Sequence, residues 1–142
     1  MRLRPTAAYV FGKANMSARL APNASGAIAA RSPDLLFRAL GESVRVRIVN
    51  LLGAGELCVC DIVDLLGLPQ PTVSRHLRIL RDSGLVHVRR RGRYAHYRLS
   101  EPRTRLEQSL LRCVRRDLTA ARLSTERARA AARVAERREV PC

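Results

Sequence analysis

The chain has no tryptophan, two phenylalanines and three tyrosines, so aromatics make up only 4% of its 142 residues. That leaves little surface on which unpaired bases could stack, which disfavours single-stranded nucleic acid as a partner. No run of about 18 apolar residues is present, so no membrane partner is expected. The apolar stretch Ala7–Phe11 is too short for a secretory leader. Cysteine is sparse, at Cys58, Cys60, Cys113 and Cys142, and forms no disulfide ladder. A cytoplasmic chain with reduced thiols is therefore expected. There is no His-Glu pair, glycine-rich phosphate loop or Ser/His/Asp set, so nothing recommends an enzyme or an organic cofactor.

Positive charge is plentiful. Lys+Arg number 27 against 12 Asp+Glu, a formal charge of +15, and all the cations but Lys13 are arginines. GC-rich coding is the bland account of so much Arg and Ala, yet a charge this large predicts a polyanionic partner. With aromatics scarce, that partner is duplex phosphate.

Residues 1–31 carry scattered Pro, Gly and Asn with weak periodicity and read as a flexible extension, in which Met16 is a second candidate start. A DNA-binding domain is expected over 32–100. Ser32-Pro33-Asp34 opens a helix that runs through Leu35, Leu36, Phe37 and Leu40 to Gly41. Val44, Ile48, Leu51 and Leu52 then fall at i, i+4, i+7 and i+8, one buried stripe that leaves Arg45 and Arg47 outside.

The stretch Glu56-Leu57-Cys58-Val59-Cys60-Asp61 opens the next helix, about 59–66. Asp61 stands where a capping box wants its acid, and Cys58 stands at the cap, where cysteine is a poor choice. Unpaired N–H groups at a helix start lower a thiol's pKa, and thiolates favour soft ions, so the pair is a candidate metal site. Two small buried hydrophobes are the alternative.

After the turn Gly67-Leu68-Pro69, the helix Gln70–Arg81 points Val73, Leu77 and Leu80 inward and leaves Thr72, Ser74, Arg75, Arg78 and Arg81 outside. Two short helices joined by such a turn describe a helix-turn-helix. Leu85–Ser100 reads as a hairpin about Gly92-Arg93, pairing Val88 with Tyr97 and Val86 with Leu99 on a core face. Arg89, Arg91, Tyr94 and His96 fall on the other face. Arg90 and Arg93 lie near the tip, which suits a wing along a phosphate backbone.

Over 101–123, Leu106, Leu110, Cys113/Val114, Leu118 and Ala121 recur every three to four residues. This stripe is read as the seam of a homodimer, with Leu35–Leu40 adding to it. Residues 124–142 read as a polar helical or frayed tail.

Glu56–Asp61, then Gln70-Pro71-Thr72-Val73-Ser74-Arg75-His76-Leu77, then the Arg-tipped wing ending His96-Tyr97-Arg98-Leu99, resemble the ArsR/SmtB family of winged-helix metalloregulatory repressors. The resemblance spans roughly Leu35–Ser100 and is closest to the arsenite/antimonite-responsive branch. It implies a mostly α fold with a β-hairpin wing, a dimeric winged helix-turn-helix that binds double-stranded operator DNA. It further implies As(III) or Sb(III) as inducer at Cys58 and Cys60, releasing the DNA and derepressing resistance genes. Two departures stand out. Many members have a third Cys where this chain has Val63, so trigonal coordination calls on Cys113, Cys142, a partner-chain thiol or a small-molecule thiol. Pro69 replaces the usual Ser or Thr before Gln70.

On this reading Gln70, Thr72, Ser74, Arg75 and His76 meet the major groove, while Arg89, Arg90, Arg91 and Arg93 meet phosphates. Leu106, Leu110, Val114 and Leu118 hold the dimer. The alternatives are the same fold sensing Cd(II), Pb(II) or thiol oxidation, and a basic nucleic-acid-binding module that senses nothing.

Overall fold

Pro33 is pre-set for a first helical turn, and α1 (Pro33–Leu40) begins there, burying Leu36 and Ala39 and leaving Phe37 56% exposed. The structure, a computed structural model, describes residues 32–117 and 120–139. The expected extension 1–31, Leu118 of the expected seam and Cys142 lie outside the described residues.

Helix α2 (Ser43–Leu52) is the centre of the core: Ile48, Val49, Asn50 and Leu51 are all fully buried. One apolar stripe does not account for this, since Arg45 and Arg47, which lie off that stripe, are drawn in as well. Arg45 is buried and donates to the carbonyls of Arg38 (2.8 Å) and Ala39, satisfying acceptors left over at the end of α1. Arg47 is half-buried in an ion pair with Glu126 at 2.6 Å.

A two-residue strand, β1 (Leu57–Cys58), leads directly into α3 (Val59–Leu66). The helix keeps the limits its sequence predicts because both ends are chemically marked. At its start the Cys58 N–H donates to Asp61 Oδ2 at 3.2 Å, and at its end Gly67 takes φ +65°, a left-handed turn that costs glycine little. Helix α4 (Gln70–Asp82) follows and buries Val73, Leu77 and Leu80. Its first turn has no side-chain cap at Pro69, whose carbonyl instead accepts from Thr72 (3.0 Å) and Val73 (3.1 Å).

Strands β2 (Val86–Arg91) and β3 (Tyr94–Leu99) form the hairpin in the predicted register, Val86 opposite Leu99 and Val88 opposite Tyr97. Gly92 turns it at φ +58°. Val86 is buried, whereas Val88, Tyr97 and Leu99 are half-buried. The sequence shows only the hairpin; the sheet has three strands, in order β1-β3-β2, because Leu57 pairs with Tyr97 and Cys58 with His96.

The C-terminal part departs furthest from expectation. Helix α5 (Arg105–Arg112) is capped by Thr104, whose Oγ1 accepts from the Glu107 N–H at 3.1 Å, and it runs into a π-helical turn, Cys113–Asp117. A separate helix, α6 (Ala121–Glu139), then packs back over α2 and α3. The Leu106–Ala121 stripe is thus divided between two helices. Val114, expected on the dimer seam, is buried within its own chain, as is Leu111, whereas Cys113, expected on the same seam, is exposed.

Over Ala121–Glu139 the polar sequence is held down rather than frayed. Asn50 Nδ2 donates to the Leu123 carbonyl at 2.8 Å, and Arg127 Nε donates to Asn50 Oδ1 at 2.8 Å. Ala130 is fully buried, and Val134 lies so close to Gly55 that a Cβ there would approach it to 3.0 Å. No helix of the described residues is long and apolar enough to cross a membrane.

Candidate DNA interface and thiol site

The two thiols straddle the junction of sheet and helix. Cys58 closes β1 as the cap of α3 and is buried to 1% exposure; Cys60, one residue into the helix, is exposed. The backbone is still extended at Cys58 (φ −70°, ψ 152°), so its side chain escapes the opposed directions that helical residues two apart take.

Partial burial pushes the Cys60 thiol up, and the adjoining Cys58 thiol and the Asp61 and Asp64 carboxylates push it further. The expected lowering by the helix start is not found at Cys60, where burial and these neighbouring groups outweigh it. Among the described residues, no group of three or more His, Cys, Asp or Glu side chains is placed to hold an ion. Cys113 is thus not brought into a common site with Cys58 and Cys60.

On either side, the thiol segment is fixed by ion pairs. Asp61, 2% exposed, meets Arg137 of α6 at 2.8 Å and Arg133 at 3.8 Å. Glu56 meets Arg89 of the wing at 2.9 Å, with Arg91 at 3.9 Å and His96 at 3.8 Å. Burial opposes the charge on Glu56, but the Arg89 hydrogen bond and the charges of Arg89, Arg91 and His96 hold its pKa below the ordinary value. Sequence reasoning passed over Glu56, Asp61 and Arg137 as site residues, and only the acid before a cysteine beside an Arg-rich wing hinted at any of them.

The expected groove-facing set divides. Gln70, Ser74 and Arg75 are exposed on the outer face of α4, and Thr72 is half-buried beside them. His76 is corrected: it is 7% exposed and turned inward, with Nε2 at 3.5 Å from Glu42 Oε1 at the start of α2. One turn from Thr72 and next to Leu77, it shares the helix face that packs on the core. His96, read as an outer hairpin residue, is likewise buried, because β1 adds a third strand beside it. Arg89, Arg90, Arg91 and Arg93 are all exposed on the wing.

Exposed cations on a second helix and on a hairpin, fixed to one core, form the frame of a winged helix-turn-helix. A family model described as "Bacterial regulatory protein, arsR family" matches residues 42–88. An uncharacterized HTH-type transcriptional regulator of Methanocaldococcus jannaschii is 41% identical over 71 residues, which are 49% of this chain and 80% of that protein. The chain belongs to the arsR family. Another arsR-like relative, the arsenical resistance operon repressor of Escherichia coli K12, is 51% identical over 69 residues, 48% of this chain and 59% of that protein. The chain spans somewhat over half the length of the first curated relatives it matches. Among solved structures, HlyU from Vibrio cholerae N16961 aligns with a TM-score of 0.55 and 28% identity, over 61% of this chain and 91% of that one. The arsR-family winged-helix fold is thus shared; the matched segment contains the thiol pair and α4, and the family model stops at Val88, within β2.

Proposed function

We propose that this chain is a transcriptional repressor that binds duplex operator DNA in the cytoplasm as a homodimer, and releases it when As(III) or Sb(III) binds Cys58 and Cys60. The observation that carries the reading is the placement of the two thiols. Cys58 caps α3 and Cys60 lies in its first turn, on the helix against which α4 packs. Adjacent thiols suit a soft, thiophilic ion, which displaces their protons on binding. A change in that first turn tilts α3 and, through Ile62, Leu65 and Leu66, the helix that carries Gln70, Thr72, Ser74 and Arg75. The ion need only favour the DNA-incompetent conformer. A preference of roughly 3 kcal/mol weakens operator affinity on the order of a hundredfold.

The arsenical resistance named for the Escherichia coli relative supports arsenic as the input. Thiol oxidation is the weaker alternative, because oxidation follows thiolate character and the Cys60 pKa is raised. The third sulfur of a trigonal site comes from Cys142, a partner-chain thiol or a small-molecule thiol, since Cys113 stands apart. Half-buried Leu106 and Leu110, with exposed Phe37, offer apolar surface for the second copy, which paired half-sites about 34 Å apart require.

The test is binding of a labelled operator by the purified protein, titrated separately with As(III), Sb(III), Cd(II), Pb(II) and a mild oxidant. Release at the lowest concentrations by As(III) and Sb(III) is expected. Release by Cd(II) or Pb(II) alone would reassign the ion. Salt-dependent binding that ignores both DNA sequence and every additive would make the protein a non-sensing basic module.

A further inference from the structure

We propose that Glu56 is a positioning residue that carries occupancy of the Cys58–Cys60 pair to the wing. The inference rests on reading that pair as the ligand site.

Three observations meet at this residue. Glu56 stands just before β1, two residues ahead of Cys58, and its carboxylate reaches the sheet face that carries His96. On that face Cys58 is the cross-strand partner of His96, and His96 is the partner of Arg89. A thiol, an imidazole and a guanidinium therefore form one row across the three-stranded sheet. Glu56 closes the row from below: its Oε1 and Oε2 accept from Arg89 Nη2 at 2.9 and 3.0 Å, and Arg91 and His96 lie within 4 Å of the same carboxylate.

The Cys58 backbone is held on its other side by Asp61. A movement of Cys58 toward Cys60 must then either slide β1 against β3 or draw Glu56 away from Arg89 and Arg91. Both outcomes shift the arginines that face DNA. The wing thus answers the thiols directly, by a route independent of the α3–α4 packing. Because the Arg89–Glu56 pair is partly exposed, its share is modest.

The experiment uses Glu56→Gln and Glu56→Ala in the full chain. The first quantity is the release factor, the ratio of operator affinities without and with As(III). The second is amide exchange over residues 89–94 of the DNA-free protein, with and without As(III). The wild type is expected to show release and an As(III)-dependent change in wing exchange. Both variants are expected to bind As(III) as the wild type does, with a release factor smaller by about three- to fivefold. Their wing should no longer follow As(III). A merely structural role would alter affinity equally in both states and leave the ratio alone. A release factor and an exchange response equal to wild type in either variant would overturn the inference while leaving the thiol site standing. A Cys58→Ser protein that still responds fully would overturn the site and the inference together.

Discussion

The recognition helix and the wing carry the same kind of residue to the surface but are fastened to the thiol segment in different ways. Helix α4 is held by fully buried Val73, Leu77 and Leu80 against the apolar side of α3. The wing is held by strand pairing and a partly exposed carboxylate–guanidinium contact, over half-buried Val88, Tyr97 and Leu99. Close-packed apolar surfaces transmit displacement and are indifferent to salt, whereas exposed ion pairs are weak and screened. Base recognition should accordingly depend on the rigid element, and phosphate attraction on the yielding one.

Stability offers the largest contrast. Leu77→Ala empties a fully buried site and should cost about 2–5 kcal/mol. Val88→Ala in the half-buried hairpin should cost about 1 kcal/mol. Urea unfolding of the two variants decides it, and equal losses would remove the distinction between a packed helix and a loosely seated wing.

Next in size is base preference. Arg75→Ala should flatten discrimination between operator variants by roughly 1–3 kcal/mol, measured as a table of affinities over single base changes. Identical preferences in wild type and variant would take Arg75 off the groove. For the wing, Arg91→Ala should weaken all sequences alike and make the salt slope shallower by about 1. An unchanged slope would mean that Arg91 serves Glu56 and not phosphate.

The smallest effect expected is on pH dependence. Burial, aided by Arg137 and Arg91 and opposed by Glu56 and Asp61, holds His96 below its ordinary pKa of 6.5. The folded state therefore binds fewer protons than the unfolded chain just below that value. Its stability from this group is complete above pH 6.5 and declines as the pH falls through the folded pKa. Urea midpoints compared between about pH 7.5 and about pH 5.5 should fall in the wild type and fall less in His96→Gln. A midpoint that rises on acidification would contradict the buried, neutral imidazole.

In both halves of this comparison the features legible in the sequence were the locally marked ones. The limits of α3 were legible because Asp61 and Gly67 mark its ends locally, and the hairpin register because Gly92 fixes its turn. Strand β1 was not legible: two residues have no periodicity, and their partners lie about forty positions away. The packing of α6 was hidden for a related reason. Its attachments, Arg47 to Glu126 and Asp61 to Arg137, join charged residues more than seventy positions apart, and in sequence such residues look solvated. His96 was misplaced because the alternation that assigns strand faces takes no account of a third strand; His76 was assigned to the groove although it stands three residues after Val73 and four before Leu80, on the buried stripe of α4. The expected dimer stripe is not one α-helix, because α5 passes into a π-helical turn after Arg112 and Ala121 opens α6.

The central claim is that Cys58 and Cys60 together receive the inducer. It is tested most directly by As(III)-triggered operator release in Cys58→Ser, Cys60→Ser, Cys113→Ser and Cys142→Ser. The first two should bind operator as tightly as the wild type and ignore As(III), while the last two should still release it. Wild-type release by Cys58→Ser or Cys60→Ser would contradict the account.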